Sequence, residues 1–258
     1  MDHLSGEMHA GHYALSPAMP PRQIAARMAL GETAQGVVTV PEGYTVRQTA
    51  RRLAEHHLVD EAQFLALAQT QGRTFHVGKW APPDNNLEGY LFPDTYTVPK
   101  GATARDVVQI MLDNFGRRVL TPRGAEARGF PGGLPAAVTL ASLVEREAEV
   151  DGDRPLIAAV YRNRLKAGMR LQCDATVQYA LPEHKGRLLY SDLRVNSPYN
   201  TYTHRGLPPT PIASPGLPSI QAALRPARSD YLFYVARPDG SHVFSATLAE
   251  HDRARAAR

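Results

Sequence analysis

The chain reads as α+β, because its helical and extended segments segregate instead of alternating. Three features predict this. Apolar residues recur at helical spacing through several separated stretches. One short β-branched run spans Gly36 to Pro41, and two late extended segments are joined by Pro238-Asp239-Gly240.

In chain order, Gly11 to Ala14 is a candidate strand and Pro21 to Leu30 a helix stopped by Gly31. Gly36 to Pro41 follows as a strand on the strength of Val37, Val38 and Val40. Helices are predicted over Val46 to His56 and Asp60 to Gln71, with Asp60 as N-cap of the second. After a loop around Trp80 to Asn86, Tyr90 to Val98 reads as extended and Thr103 to Arg118 as a helix. Two more helices are predicted at Pro135 to Glu149 and Arg154 to Ala167, the latter capped by Asp153 and ended by Gly168. A short helix over residues 175–180 and another at Ser219 to Leu224 precede the hairpin of Tyr231 to Ala236 with His242 to Ser245. The division expected is a small region at residues 1–80 and a larger one at residues 81–258.

A length of 258 residues with 43% hydrophobic content suffices for one sizeable core and a small accessory domain. The formal charge of +4 allows attraction to an anionic polymer. Scattered arginines, with no surface interleaving basic and aromatic residues, argue against nucleic acid. Arg253, Arg255 and Arg258 read as a solvated tail. The single Cys173 excludes an internal disulfide. Ten histidines include no His-Glu-x-x-His and no paired-Cys spacing, so no metal and no cofactor is expected. Serine-hydrolase elbows and phosphate loops are missing too. No apolar run of about eighteen residues and no secretion signal is found.

The chemistry concentrates in Leu134 to Tyr179. On a wheel of about 100° per residue, Ala137, Leu140, Ala141, Leu143, Val144 and Ala148 share one sector, and Glu147 falls at its edge. Glu145 lies further out, while Arg146 and Glu149 point roughly away. A carboxyl on an apolar margin is partly desolvated, which raises its pKa and makes a proton donor. The alternative is a solvated flank paired with an arginine. Downstream, Ser197 to Pro209 and Pro211 to Gly216 are too rich in Pro and Gly for a central helix or strand. They predict a long shaped loop, whose Tyr faces and Asn, Thr and His groups suit a sugar ring.

Several blocks together carry a resemblance: Ala141-Ser142-Leu143-Val144-Glu145-Arg146-Glu147, Val160-Tyr161-Arg162-Asn163-Arg164-Leu165, and Gly168 to Tyr179 with Leu171-Gln172-Cys173-Asp174-Ala175-Thr176. Further on come Tyr199-Asn200-Thr201-Tyr202, Gly206-Leu207-Pro208-Pro209 and Ala213-Ser214-Pro215-Gly216. Flanking these are Glu88-Gly89-Tyr90-Leu91-Phe92-Pro93-Asp94-Thr95-Tyr96, Tyr231 to Ala236 and Gly240 to Ser245. From about Gly11 to Asp252 the chain resembles the endolytic murein transglycosylase (MltG, or YceG-like) family.

The resemblance implies cleavage of the β-1,4 bond between N-acetylmuramic acid and N-acetylglucosamine within glycan strands, without water, leaving 1,6-anhydro ends and limiting nascent strand length. One carboxyl serves as acid and then base, and the sugar's own C6 hydroxyl attacks. The family's essential Glu is the second of a Glu-x-Glu pair, which maps to Glu147, with Glu145 beside it. Gln172, Asp174, Thr176, Tyr199, Asn200, Thr201 and Tyr202 are implied along the groove; for Asp174 an N-cap role over residues 175–180 is equally open. His242 and Phe244 are candidates to reach the groove from the hairpin. Cys173 stands where a small hydroxyl residue is expected.

The strand and helix pair within residues 1–80 resemble the family's LysM-like region, with glycan binding or plain packing as its role. Peptidoglycan glycan strands are the implied partner, and cell-wall synthases are candidates. The family carries one N-terminal membrane anchor and faces the periplasm or cell exterior, so a start near Gly11 reads as a truncation or a misassigned start. Two other readings remain: a two-carboxylate hydrolase using Glu147 and Asp174, and a noncatalytic peptidoglycan-binding scaffold.

Overall fold

The computed structural model describes Tyr13 and residues 15–17, 19–30 and 34–257, so the strand expected at Gly11 to Ala14 lies almost wholly outside the described residues. Helix α1 spans Pro21–Ala29 and strand β1 Ala34–Val40. Helices α2 (Val46–Glu55) and α3 (Glu61–Thr70) follow. Strand β2 (Asp94–Pro99) pairs antiparallel with β1, Val38 opposite Tyr96 and Gly36 opposite Val98. Val38, Val40, Tyr96 and Val98 all turn to the core, so this strand pair buries one face.

Local chemistry accounts for the first helices. In α2 the Thr45 hydroxyl accepts from the Gln48 N–H while the Gln48 side chain accepts from the Thr45 N–H. Asp60 caps α3 as expected, accepting from Gln63 N–H at 2.8 Å. The pair turns Val46, Ala50, Leu53, Phe64 and Ala68 inward. β1 precedes residue 80 and β2 follows it, so the helix pair leaves and re-enters through one two-stranded sheet. The same region meets the later loop through Gly43 N–H on Ser214 O and Ser214 N–H on Tyr44 O, at 2.9 and 2.8 Å.

Helix α4 (Ala104–Phe115) starts on a Thr103–Asp106 capping box, then runs through a π turn at Gly116–Leu120 into α5 (Thr121–Gly129). The expected helix stopped at Arg118. Gly116 sits where an added Cβ would lie 2.4 Å from Val77, a close approach that lets the chain continue. The glycines at 124 and 129 concealed α5 from its apolar pattern.

The centre is α6 (Gly133–Glu147), packed by α7 (Arg154–Lys166) and α9 (Leu217–Leu224). Leu140, Leu143 and Val144 of α6, and Ile157, Val160 and Tyr161 of α7, are wholly buried. Gly168, at φ 64°, ends α7 as predicted; Gly168 N–H reaches Leu165 O and Met169 N–H reaches Arg164 O. Two cap readings are corrected. Asp153 occupies the N-cap of α7 but gives it no side-chain bond, because its carboxylate takes the N–H and Nδ1 of His242 at 2.8 and 3.0 Å. Cys173, not Asp174, is the N-cap residue of α8 (Asp174–Ala180).

Strands β3 (Phe233–Ala236) and β4 (His242–Ser245) form the predicted hairpin, Tyr234 opposite Phe244. Gly240 in its turn has φ 83°, and an added Cβ would lie 2.5 Å from the Glu149 carboxylate. The end read as a solvated tail forms α10 (Leu248–Ala256), opened by a Thr247–Glu250 capping box and with His251 stacked on Phe233 at 5.4 Å; Arg253 and Arg255 are exposed on it, and Arg258 lies outside the described residues. Its sequence has no apolar stripe, so the cap was its only local signal.

Glu88 is 3% exposed, beneath the start of α2. Val46 N–H donates to both its oxygens at 3.0 and 3.2 Å, and Tyr179 OH donates at 3.2 Å. Burial pushes its pKa up to about 8 against those hydrogen bonds. A folded-state pKa above the unfolded value of 4.5 means the folded chain holds the proton more tightly. Its contribution is therefore full below pH 4.5 and is lost as pH rises to about 8. Glu88→Gln, which cannot ionise, is expected to gain about 3 kcal/mol on the wild type between pH 5 and pH 8. Urea unfolding at the two pH values measures it, and parallel pH profiles for both proteins would refute it.

Candidate active site

The site is assembled where the C-terminus of α6 meets the N-terminus of α8 and the β3–β4 hairpin. Glu147, the last residue of α6, retains partial exposure as a residue while its carboxyl is enclosed. Cys173 Sγ donates to Oε1 at 3.2 Å and Tyr234 OH donates to Oε2 at 3.0 Å. The Tyr161 hydroxyl lies 2.8 Å from that of Tyr234, their rings edge to face at 6.2 Å. Each partner is held from a different element. Arg164 of α7 donates to Leu232 O beside Tyr234 and to Leu171 O beside Cys173, at 2.6 and 2.8 Å. Asn163 binds the carbonyls of Ser229 and Tyr231 at 2.9 and 3.0 Å.

Electrostatics set the protonation of this cage. Burial raises the Glu147 pKa above the ordinary carboxylate range, and Asp174 pushes the same way. The bonds from Cys173 and Tyr234, and the proximity of His242, oppose it. Burial and the Glu147 charge hold Cys173, Tyr161 and Tyr234 well above their usual values, so all three remain neutral donors. A carboxyl so placed keeps its proton to higher pH than an exposed glutamate, so it is available as a proton donor, and the anion it leaves meets two donors already aimed at it.

Gln172 is exposed and adopts φ 52°, a left-handed conformation costly for a residue with a Cβ. Its N–H binds Thr201 O at 3.2 Å, and the twist delivers Cys173 to the carboxyl. Asp174 is exposed at the head of α8 and accepts from Tyr202 OH at 2.5 Å. Gln172, Asp174 and the partly exposed Tyr202 thus lie next to the cage with accessible polar groups.

The remaining expected groove residues have their polar groups turned inward. Thr176 and Thr201 are buried, hydroxyls 2.9 Å apart, and Thr201 also accepts from Cys173 N–H at 3.0 Å. Asn200 is fully buried and ties the long loop together, donating to Leu193 O and Val195 O and accepting from Tyr202 N–H. Tyr199 is half-buried, bound to Thr210 and tilted on Tyr179 at 4.9 Å. Glu145 points away from Glu147. Its side chain is 6% exposed, paired with Arg154 at 3.3 Å, and accepts from Gly216 N–H at the head of α9. His242 is buried, 5.3 Å from the Tyr234 ring, and Phe244 lies 6.1 Å from that ring.

Tyr161 and Tyr234 were not foreseen as partners of the carboxyl. Both lay inside recognised sequence blocks, but only the fold brings residues so far apart in the chain together. Among the described residues, no group of three or more His, Cys, Asp or Glu is placed to hold a metal ion.

Fold and site together define an α+β protein built around one enclosed carboxyl. The whole of residues 1–257 matches the description of the YceG-like family, and the chain belongs to that family. It is 37% identical over 259 residues to the endolytic murein transglycosylase of Bacillus subtilis, covering 95% of this chain and 72% of that one. The endolytic murein transglycosylase of Streptococcus pneumoniae is 31% identical over 283 residues; the match takes in 96% of this chain and 50% of that longer one. A crystal structure of a YceG-like protein from Listeria monocytogenes superposes with a TM-score of 0.76 at 37% identity, covering 96% of this chain and 85% of its own.

Proposed function

We propose that the chain is an endolytic peptidoglycan lytic transglycosylase with Glu147 as its single acid and base. The observation that carries this is the enclosed Glu147 carboxyl with neutral Cys173 and Tyr234 donors on its two oxygens. The names of the relatives, endolytic murein transglycosylases at 37% and 31% identity, support the substrate class.

In this reading Glu147 protonates the leaving glycosidic oxygen between N-acetylmuramic acid and N-acetylglucosamine. The resulting carboxylate, steadied by Cys173 and Tyr234, accepts the proton of the C6 hydroxyl as that oxygen attacks C1. One bond breaks, one forms, and the proton count closes without water. Gln172, Asp174 and Tyr202 meet the sugars directly, Tyr199 offers the edge of a ring, and Glu145, Thr176, Asn200 and Thr201 hold the walls.

Digestion of uncrosslinked glycan strands should yield 1,6-anhydro ends, each anhydro-ended product lighter by one water than its hydrolytic counterpart in mass spectrometry. Reducing ends would overturn the mechanism in favour of a water-using hydrolase. Within the same proposal the protein works in the cell envelope, on the periplasmic or outer side of the inner membrane, near the wall synthases that supply its strands. Among the described residues no helix is long and apolar enough to cross a membrane. Fractionation of cells producing the native protein tests this location, and recovery in the cytosol alone would exclude it.

A further inference from the structure

A cleft of about 360 Å³ opens between the start of α2, the end of α6 and α8, the two helices whose ends carry Glu147 and Asp174. Arg146, next to Glu147, and Ala175, next to Asp174, both line it. It therefore begins one residue from the reacting carboxyl along α6 and one residue from Asp174 along α8. Its charge is one-sided. Arg47 and Arg146 line the walls with Gln48, Gln178 and Tyr179, and Glu88 is the one carboxyl in the lining.

Neither arginine has an ion-pair partner among the described residues. Arg146 makes one long bond, Nη1 to Gly43 O at 3.4 Å, which leaves the rest of its guanidinium turned to the cleft. Glu88 is enclosed and bonded by Val46 and Tyr179, and it holds its proton to about pH 8, so it does not neutralise the cations. The other titratable group at the rim is the exposed His184. Two fork-shaped donors in a half-enclosed cleft without a compensating anion fit a carboxylate.

We propose that this cleft is a binding site for a carboxylate of the peptide stem carried by the muramyl sugar. The inference rests on the glycan-cleaving reading above and extends it, from the sugar at Glu147 to the substituent that leaves the sugar ring. A peptide advances about 3.3–3.6 Å per residue, so each residue of a stem adds reach from the reacting ring toward this cleft. The site selects strands that still bear their stems and holds the scissile sugar in register with Glu147.

Steady-state cleavage is compared on three uncrosslinked substrates: strands with free stem carboxylates, strands whose carboxylates are converted to amides, and strands stripped of their stems. The wild type is expected to show a KM about tenfold lower for the first than for the other two, the worth of one charge-assisted contact. In Arg47→Gln and Arg146→Gln that preference should fall to under about twofold. A preference that survives in both variants overturns the proposal, and so does a stripped strand bound as well as a stem-bearing one. The parent reading fails separately, if the wild type releases no anhydro ends from any substrate. Calorimetric binding of the same strands to Glu147→Gln reports on the cleft without turnover; equal affinity for free and amidated stems would count against it.

Discussion

Glu147→Gln should lower glycan-strand cleavage by about 10³-fold or more, while the protein folds and still binds strands. The amide keeps the shape and its oxygen can accept from one of Cys173 and Tyr234, but it has no acidic proton to give the leaving oxygen and cannot take one back. Because burial raises the folded pKa of Glu147, the wild type keeps its acid protonated to higher pH than a free glutamate and loses activity as pH climbs through that raised pKa. Tyr234→Phe removes a donor that favours the carboxylate, so the alkaline limb should move to higher pH with kcat down about tenfold. Rate profiles on uncrosslinked strands measure both. Substantial cleavage by Glu147→Gln would end the one-carboxyl mechanism, and a limb that moves to lower pH in Tyr234→Phe would contradict the geometry.

Glu145→Ala is expected to cost about 2–3 kcal/mol of stability, the cost of leaving a buried guanidinium with only the exposed Asp151 as its anion. Arg154 is 10% exposed and pairs with Glu145 at 3.3 Å, with Asp151 at 2.9 Å, and with the Ser219 hydroxyl. Gly216 N–H also loses its acceptor, and Glu42, lying against Gly216, loses a repelling neighbour. That relief at the half-exposed Glu42 is small beside the loss of the buried partner of Arg154. Converting both Glu145 and Arg154 to Met removes the buried guanidinium together with its buried partner, so the double variant should be more stable than Glu145→Ala alone. Urea denaturation of the wild type, Glu145→Met, Arg154→Met and the double variant, beside Glu145→Ala, decides it. Simple additivity of the two single replacements would show that the pair does not act as a unit.

How far the text of the chain foretells this arrangement depends on whether a feature is local. The helical wheel puts Glu147 on an apolar margin, where the structure finds it, because a helix repeats one geometry and neighbours such as Leu143 and Val144 report its buried side. The cap at Asp60, the end of α7 at Gly168, and the hairpin at Gly240 are equally local. What stayed hidden depends on contacts across the fold. A polar residue in a loop looks the same in sequence whether it faces a ligand or satisfies its own backbone, so Thr176, Asn200 and Thr201 read as groove residues while their hydrogen bonds point inward. Asp153 reads as a cap, yet it serves a histidine on the far hairpin. Tyr234 reads as an ordinary strand aromatic until α7 and the hairpin carry it onto the carboxyl.

The pairing of β1 with β2 has a consequence for how the chain reaches this state. Its ladder joins Val40 to Asp94 and Gly36 to Val98, with two whole helices strung between. Closing so large a ring costs conformational freedom before any ladder bond repays it. Helices α2 and α3, each nucleated by its own capped first turn, shorten the gap and bring the strand ends within reach. On a growing polypeptide, β1 leaves the ribosome well ahead of its mate and waits as an apolar ribbon with a free edge, the interval in which this molecule is most vulnerable to joining the wrong neighbour.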